Sequence, residues 1–135
     1  MQTQQNTVAD LPDIVVGQRD YDELVAFAEA LGGPLANAAE ALLNELDRAT
    51  LVPQDEVPAD RARMNSVVTF ETVDGFTRIF QLVYPDKADV DKQRVSILTP
   101  IGRALIGLGV GQSIPWAGRD GHTHILTVKT VTQGA

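Results

Sequence analysis

The chain has no cysteine, which excludes disulfides, thiolate nucleophiles and cysteine-ligated metals, and which suits a reducing, bacterial-type cytoplasm. Histidine is nearly as scarce, with two residues, so a catalytic or metal-binding imidazole has to be one of this pair. No apolar run approaches the ~20 residues that a membrane span requires. Met1 to Asp10 is polar and lacks the basic-then-apolar order of a secretory signal. Internal repeats and low-complexity tracts are missing as well. Positive charge is short, 11 Lys and Arg against 18 Asp and Glu.

What remains is ordinary for a globular protein: 44% apolar residues in 135, enough for one domain, or one domain with a small appendage. A chain of this length buries roughly two-thirds of its unfolded surface. The charge is unevenly spread. Residues 1–63 hold 12 acids and 4 bases, whereas residues 64–135 hold 6 acids and 7 bases. An acidic first half argues against direct contact with a phosphate backbone, which needs clustered Lys and Arg. It suits a basic protein surface or cavity, or simply keeps helices soluble.

Periodicity gives the elements. Ile14, Val15 and Val16 make one extended segment before Gly17. Asp20 opens a helix in which Tyr21, Leu24, Ala28 and Leu31 recur at helical spacing, until Gly32, Gly33 and Pro34 stop it. A second helix runs from Pro34 to about Thr50, with Leu35, Ala39, Leu42, Leu46 and Ala49 alternating at four and three as in a coiled-coil seam. The linker is so short that the pair forms an antiparallel hairpin. Pro53 and Pro58 bracket an acidic loop that joins hairpin to sheet, and Asp60 to Met64 forms one helical turn. Val67 to Val73 and Phe76 to Tyr84 then read as strands either side of Asp74-Gly75, a strong hairpin signal. Gln112 to Trp116 and His122 to Thr132 close an antiparallel sheet. The class is α+β, with residues 1–57 as the N-terminal segment and short helical hairpin, and residues 58–135 as the sheet domain.

Few residues offer chemistry. His122 and His124 alternate at the head of a strand without a third ligand, and read as solvated side chains. Asp86, Asp89 and Asp91 lack the turn glycine and terminal Glu of a calcium loop. Gly107-Leu108-Gly109-Val110-Gly111 follows a helix instead of opening one, so it caps and turns and does not cradle phosphate. No metal, cofactor or catalytic residue is expected.

The informative run is Val95 to Gly107. It starts as an apolar strand and breaks at Pro100, where proline at the first helical position loses no hydrogen bond, so Thr99 reads as N-cap. This run resembles the Ser-Pro-Ile-Ala-Arg-Ala/Gly-Leu-Ile-Gly stretch in the C-terminal domain of the bacterial transcript-cleavage factors GreA and GreB. Further segments fall in one order: Leu42-Asn44-Glu45-Leu46-Asp47-Arg48-Ala49 followed by Pro58, Met64-Asn65-Ser66-Val68, and Leu82-Val83-Tyr84-Pro85. Together they resemble, over residues 20–131, the short relatives of those factors, the regulator of nucleoside diphosphate kinase (Rnk) family.

The resemblance implies an FKBP-like sheet domain from about residue 64. It also implies a partner, RNA polymerase, docked at its secondary channel, with DNA met only through polymerase. The chain is then a cytoplasmic monomer that touches no membrane. The residues matching the Gre docking loop are Leu98, Thr99, Pro100, Ile101 and Arg103, with Tyr84 flanking them. Gre factors act through acids at the tip of a long coiled coil, which hold a metal ion in the polymerase active centre. Here the tip is Leu31-Gly32-Gly33-Pro34-Leu35, and the nearest acids, Glu29 and Glu40, lie a turn or more down short helices. The expected activity is therefore occupancy of the channel in competition with Gre-type factors, without transcript cleavage. The alternatives are a peptidyl-prolyl isomerase of FKBP type, for which Phe70, Phe76, Phe80, Tyr84 and Trp116 are the available aromatics, and direct regulation of nucleoside diphosphate kinase.

Overall fold

A computed structural model describes residues 11–118 and 120–134. Strand β1 (Val15–Gly17) leads directly into helix α1 (Gln18–Glu29), and a 3-10 turn at Gly33–Leu35 reverses the chain into helix α2 (Ala36–Asp47). Leu24 and Ala28 of α1 face Ala39, Leu42 and Leu46 of α2, all buried as the helical spacing requires. Leu35 departs from the expected seam and is 45% exposed, because the 3-10 turn swings it off the α2 face. Two helices of 12 residues extend only ~18 Å each.

Both helix limits differ from the sequence expectation for long-range reasons. Helix α1 begins at Gln18, ahead of Asp20, and its third backbone N–H, that of Asp20, is capped by the remote Gln54 Oε1 at 2.9 Å. Helix α2 stops at Asp47, ahead of Thr50, because Thr50 opens strand β2 (Thr50–Val52), which pairs in parallel with β1. Asp60 to Met64 forms no helical turn. Arg61 instead bridges to Gly109 as extended chain.

The sheet contains β3 (Val67–Thr72), β4 (Thr77–Val83), β5 (Arg94–Ser96), β6 (Ser113–Ala117) and β7 (Thr123–Thr132), in the order β5-β4-β3-β7-β6. Asp74-Gly75 turns the chain between β3 and β4 with Gly75 at φ 91°, as its sequence predicts. The expected antiparallel sheet proves mixed, since β5 pairs with β4 in parallel. Two 3-10 turns, Pro85–Lys87 and Val90–Lys92, carry the chain back to Gln81 in the second half of β4, and Gln93 at φ 57° aims it along the edge. Helix α3 (Pro100–Leu105) then packs on one face of the sheet and delivers the chain to β6 at the opposite edge.

One core serves both halves. Leu24, Leu42 and Leu46 of the hairpin join Val68, Phe70, Leu98, Leu105, Leu108 and Leu126 in a single buried cluster. The join is also a backbone ladder. Thr50 donates to Ile14 O (2.9 Å), Val15 to Gly107 O (3.1 Å), and Gly107 to Ala62 O (2.8 Å). The Arg61 guanidinium binds three acceptors there, the carbonyls of Asp13 (3.0 Å) and Gly107 (3.2 Å) and the Gln112 Oε1 (3.0 Å). Gly107 has φ 77°, and a Cβ on it would lie 2.9 Å from the Ile14 Cβ. A non-glycine residue in the left-handed region costs roughly 1–3 kcal/mol, and overpacking adds a similar amount. Gly75 also has positive φ but faces open space. Gly107→Ala should therefore lose at least ~1 kcal/mol more stability than Gly75→Ala in urea unfolding; equal losses would mean that β1 does not seat against the 106–108 turn.

Candidate functional site

The docking-loop residues are held by an internal hydrogen-bond network. Leu98 is buried, and its N–H donates to Ser96 Oγ (3.0 Å). Thr99 caps α3 as its sequence predicts: its hydroxyl accepts from Gly102 N–H (3.0 Å) and donates to Ser96 O (2.7 Å). Pro100 stands exposed at the first helical position, and Ile101 is half-buried. Arg103 turns inward, its guanidinium donating to Leu98 O. Desolvation lowers its pKa from the ordinary arginine value, partly offset by the Glu45 carboxylate. Arg103 therefore braces the loop and is half-buried instead of fully exposed as expected.

Thr99, Pro100 and Ile101 form one wall of a groove of about 1040 Å³. Phe70, Phe80, Val95 and Trp116 line it from the sheet, and Val73, Asp74, Phe76 and Arg78 from the β3–β4 hairpin. Phe70 and Phe80 lie 5.9 Å apart between ring centroids, and Trp116 stacks on His124 at 5.1 Å. The Trp116 indole N–H is buried without an acceptor among the described residues. Val73 and Phe76 are exposed at the groove mouth, 78% and 59% respectively, unusual for side chains of their size on a protein surface. Four of the five aromatics available in this half thus gather in one place; Tyr84 does not.

The groove's charged groups are few. Asp120 accepts from the His122 N–H (3.0 Å) and pairs with the His124 Nε2 (3.0 Å), and these bonds hold its carboxyl below the usual carboxylate range. Asp74 is likewise lowered, chiefly by the Thr72 hydroxyl and to a small degree by His124. Arg78 lies over the Phe76 ring at 5.8 Å. Among the described residues no group of three or more His, Cys, Asp or Glu side chains is placed to hold a metal ion. The arrangement is an apolar, aromatic concavity with charge at its edge.

The remaining predicted residues lie elsewhere. Glu29 and Glu40 are exposed on the hairpin, away from the groove. Tyr84 borders a separate polar hollow of about 320 Å³ at the hairpin base, with Asp20, Glu23, Arg63 and Gln133. The hairpin's acidity is also reduced by internal pairing. Asp20 is buried and accepts from Met64 N–H (3.3 Å), and Glu45 pairs with Arg48 at 2.9 Å. The groove itself was not legible beforehand, because its lining runs from residue 70 to residue 124 and no local spacing connects them.

Two family models match the chain: the Rnk N-terminus over residues 12–52, and the C-terminal part of the transcription elongation factors GreA/GreB over residues 57–133. The regulator of nucleoside diphosphate kinase of Escherichia coli (strain K12) is 38% identical over 109 residues, 78% of each chain. A transcription elongation factor GreA of Brucella anthropi is 36% identical over 80 residues, 56% of this chain and 51% of that protein. Among solved structures, a prokaryotic transcription elongation factor GreA/GreB from Nitrosomonas europaea superposes with a TM-score of 0.71 at 33% identity, covering 90% of this chain and 98% of that one.

The two matched segments touch through one aromatic pair, Phe27 of α1 standing edge-on to Tyr84 with centroids 5.2 Å apart. Burial, with Glu23 and Asp20 nearby, pushes the Tyr84 phenol up from 10.0 to about 12. A phenol that keeps its proton longer when folded stabilises the fold fully below pH 10, and that contribution is lost as pH rises from 10 towards 12. Ultraviolet titration should show a phenol ionising near pH 12 that Tyr84→Phe removes, and the variant should lose less stability than the parent over that interval. A phenol titrating near pH 10 and removed by Tyr84→Phe would place Tyr84 in solvent, off Phe27.

Proposed function

The chain belongs to the Rnk family within the GreA/GreB superfamily, and on that premise we propose that it is a regulator of transcription that binds RNA polymerase at its secondary channel and performs no chemistry there. The observation that carries this reading is the braced Thr99–Pro100–Ile101 loop forming the wall of an exposed apolar groove. An interface core of this kind is apolar and aromatic with charge kept to its rim. The loop and groove supply residence time. The short hairpin enters the channel and occupies it, excluding factors with longer hairpins.

The absence of cleavage follows from the tip. The turn at 31–35 carries no carboxylate, and Glu29 and Glu40 stand back from it on separate helices. Their exposed charge acts on encounter. Attraction to a positively lined channel is screened over about 8 Å at physiological salt, so it sets association rate more than dissociation. The protein works as a monomer in the cytoplasm, where polymerase is found. The four aromatics in the groove favour one second reading, an FKBP-type prolyl isomerase, which a peptide isomerisation assay tests directly; turnover lost on Phe80→Ala would support it.

Arg103→Glu is a poor probe of docking, since it would release the Leu98 carbonyl and deform the loop. Pro100→Ala combined with Phe76→Ser alters two exposed side chains and leaves the network intact. Loss of central contacts costs about 2 kcal/mol or more, so affinity for RNA polymerase core should fall more than ~20-fold with unchanged melting temperature. Unchanged affinity would remove the loop and groove from the interface. In backtracked complexes the protein alone should yield no cleaved transcript, and it should reduce cleavage stimulated by a GreA-type factor in a dose-dependent way. Metal-dependent cleavage lost on Glu29→Gln or Glu40→Gln would overturn the occupancy reading.

A further inference from the structure

The charged groups around the groove are asymmetric, and that asymmetry constrains what occupies it. Thr72 pairs with Leu126 and Ala117 with Thr123, so the turns that carry Asp74 and Asp120 lie at one end of the groove that both line. Neither is paired with a Lys or Arg side chain among the described residues. Arg78, the cation described in the lining, makes no ion pair there and rests over the Phe76 face. Among the described residues, the two carboxylates thus stand at the end of an aromatic floor without a Lys or Arg ion pair.

A concave floor of this kind excludes two classes of occupant. A nucleic-acid backbone would bring phosphates to the carboxylates, and a flat membrane surface would not reach the rings. Its volume of about 1040 Å³ lies at the top of the range for drug-sized ligands and admits several consecutive residues of a polypeptide. We propose that the groove selects a protein segment that sets an apolar side chain against Phe80 and Trp116 and a Lys or Arg side chain at the Asp74–Asp120 end. This rests on the reading of the groove as part of the docking surface and adds the chemistry of the segment it recognises. Asp74 and Asp120 act as specificity residues: they attract the flanking cation and penalise an acidic segment of the same shape.

Trp116 is the chain's single tryptophan and lines the groove, so its fluorescence reports occupancy. The probes are two blocked pentapeptides, acetyl-Gly-Leu-Phe-Lys-Gly-amide and its counterpart with Glu in place of Lys. Exposed ion pairs contribute at most about 1 kcal/mol each, about fivefold in affinity, so two carboxylates should favour the Lys peptide by about tenfold at low salt. The preference should shrink on raising salt and vanish in Asp74→Asn with Asp120→Asn, whose exposed positions leave the fold intact. No saturable change with either peptide, equal affinity for both, or a preference that survives the double substitution would each overturn the proposal. Capture of RNA polymerase by the unaltered protein is measured in parallel. Capture without the peptide preference overturns this inference alone, and the preference without capture overturns the polymerase reading alone.

Discussion

The position of every functional part depends on the seat of β1 against Gly107. That strand lies between β2, which follows the hairpin, and the 106–108 turn, which follows α3. Arg61 holds the seat from the side by binding the carbonyls of both Asp13 and Gly107. Gln112 adds a further hold, its Nε2 donating to Asp13 O (3.0 Å) while its Oε1 accepts from Gly109 N–H (2.8 Å). A short hairpin has little core of its own. Its direction relative to the sheet is fixed because its buried face merges with the sheet core and because these bonds leave the join little freedom.

From this constraint the division of labour follows. The hairpin projects its exposed acids from one side of the shared core, while the groove opens on the sheet face beside α3. Residues that could have served either part are spent internally. Arg103 braces the loop, Arg48 reaches the Pro12 carbonyl and Glu45, and Asp20 sits under the chain at Met64. What is left exposed is an apolar floor with charge at its edge, the composition on which the proposed docking rests.

The local features were legible in the sequence. Helix faces follow from the spacing of Leu24, Ala28, Ala39, Leu42 and Leu46; the Asp74-Gly75 turn and the Thr99 cap depend on residues no more than four apart. The features that escaped are long-range. Gln54 caps a helix that begins 36 positions earlier, Thr50 leaves its helix to pair with Val15, and β5 joins the sheet in parallel after two 3-10 turns. The resemblance sets Tyr84 beside the docking loop, and the structure shows its ring edge-on to Phe27. Arg103 matches the docking loop of the family and so reads as exposed; only the fold brings the Leu98 carbonyl within its reach.

Gly102 carries a consequence for how the loop meets anything at all. The matching family stretch has alanine at this position, whereas a Cβ here would lie 2.0 Å from the Ser96 carbonyl oxygen. Strand end and helix start are therefore packed closer than an alanine permits. With Thr99 bonded to both sides of the bend and Pro100 fixing its own φ, the segment has almost no conformational entropy left to lose. On the proposed docking reading the loop is a preformed template: the ordering cost of the encounter falls on the partner, and selectivity rests on shapes that fit without adjustment.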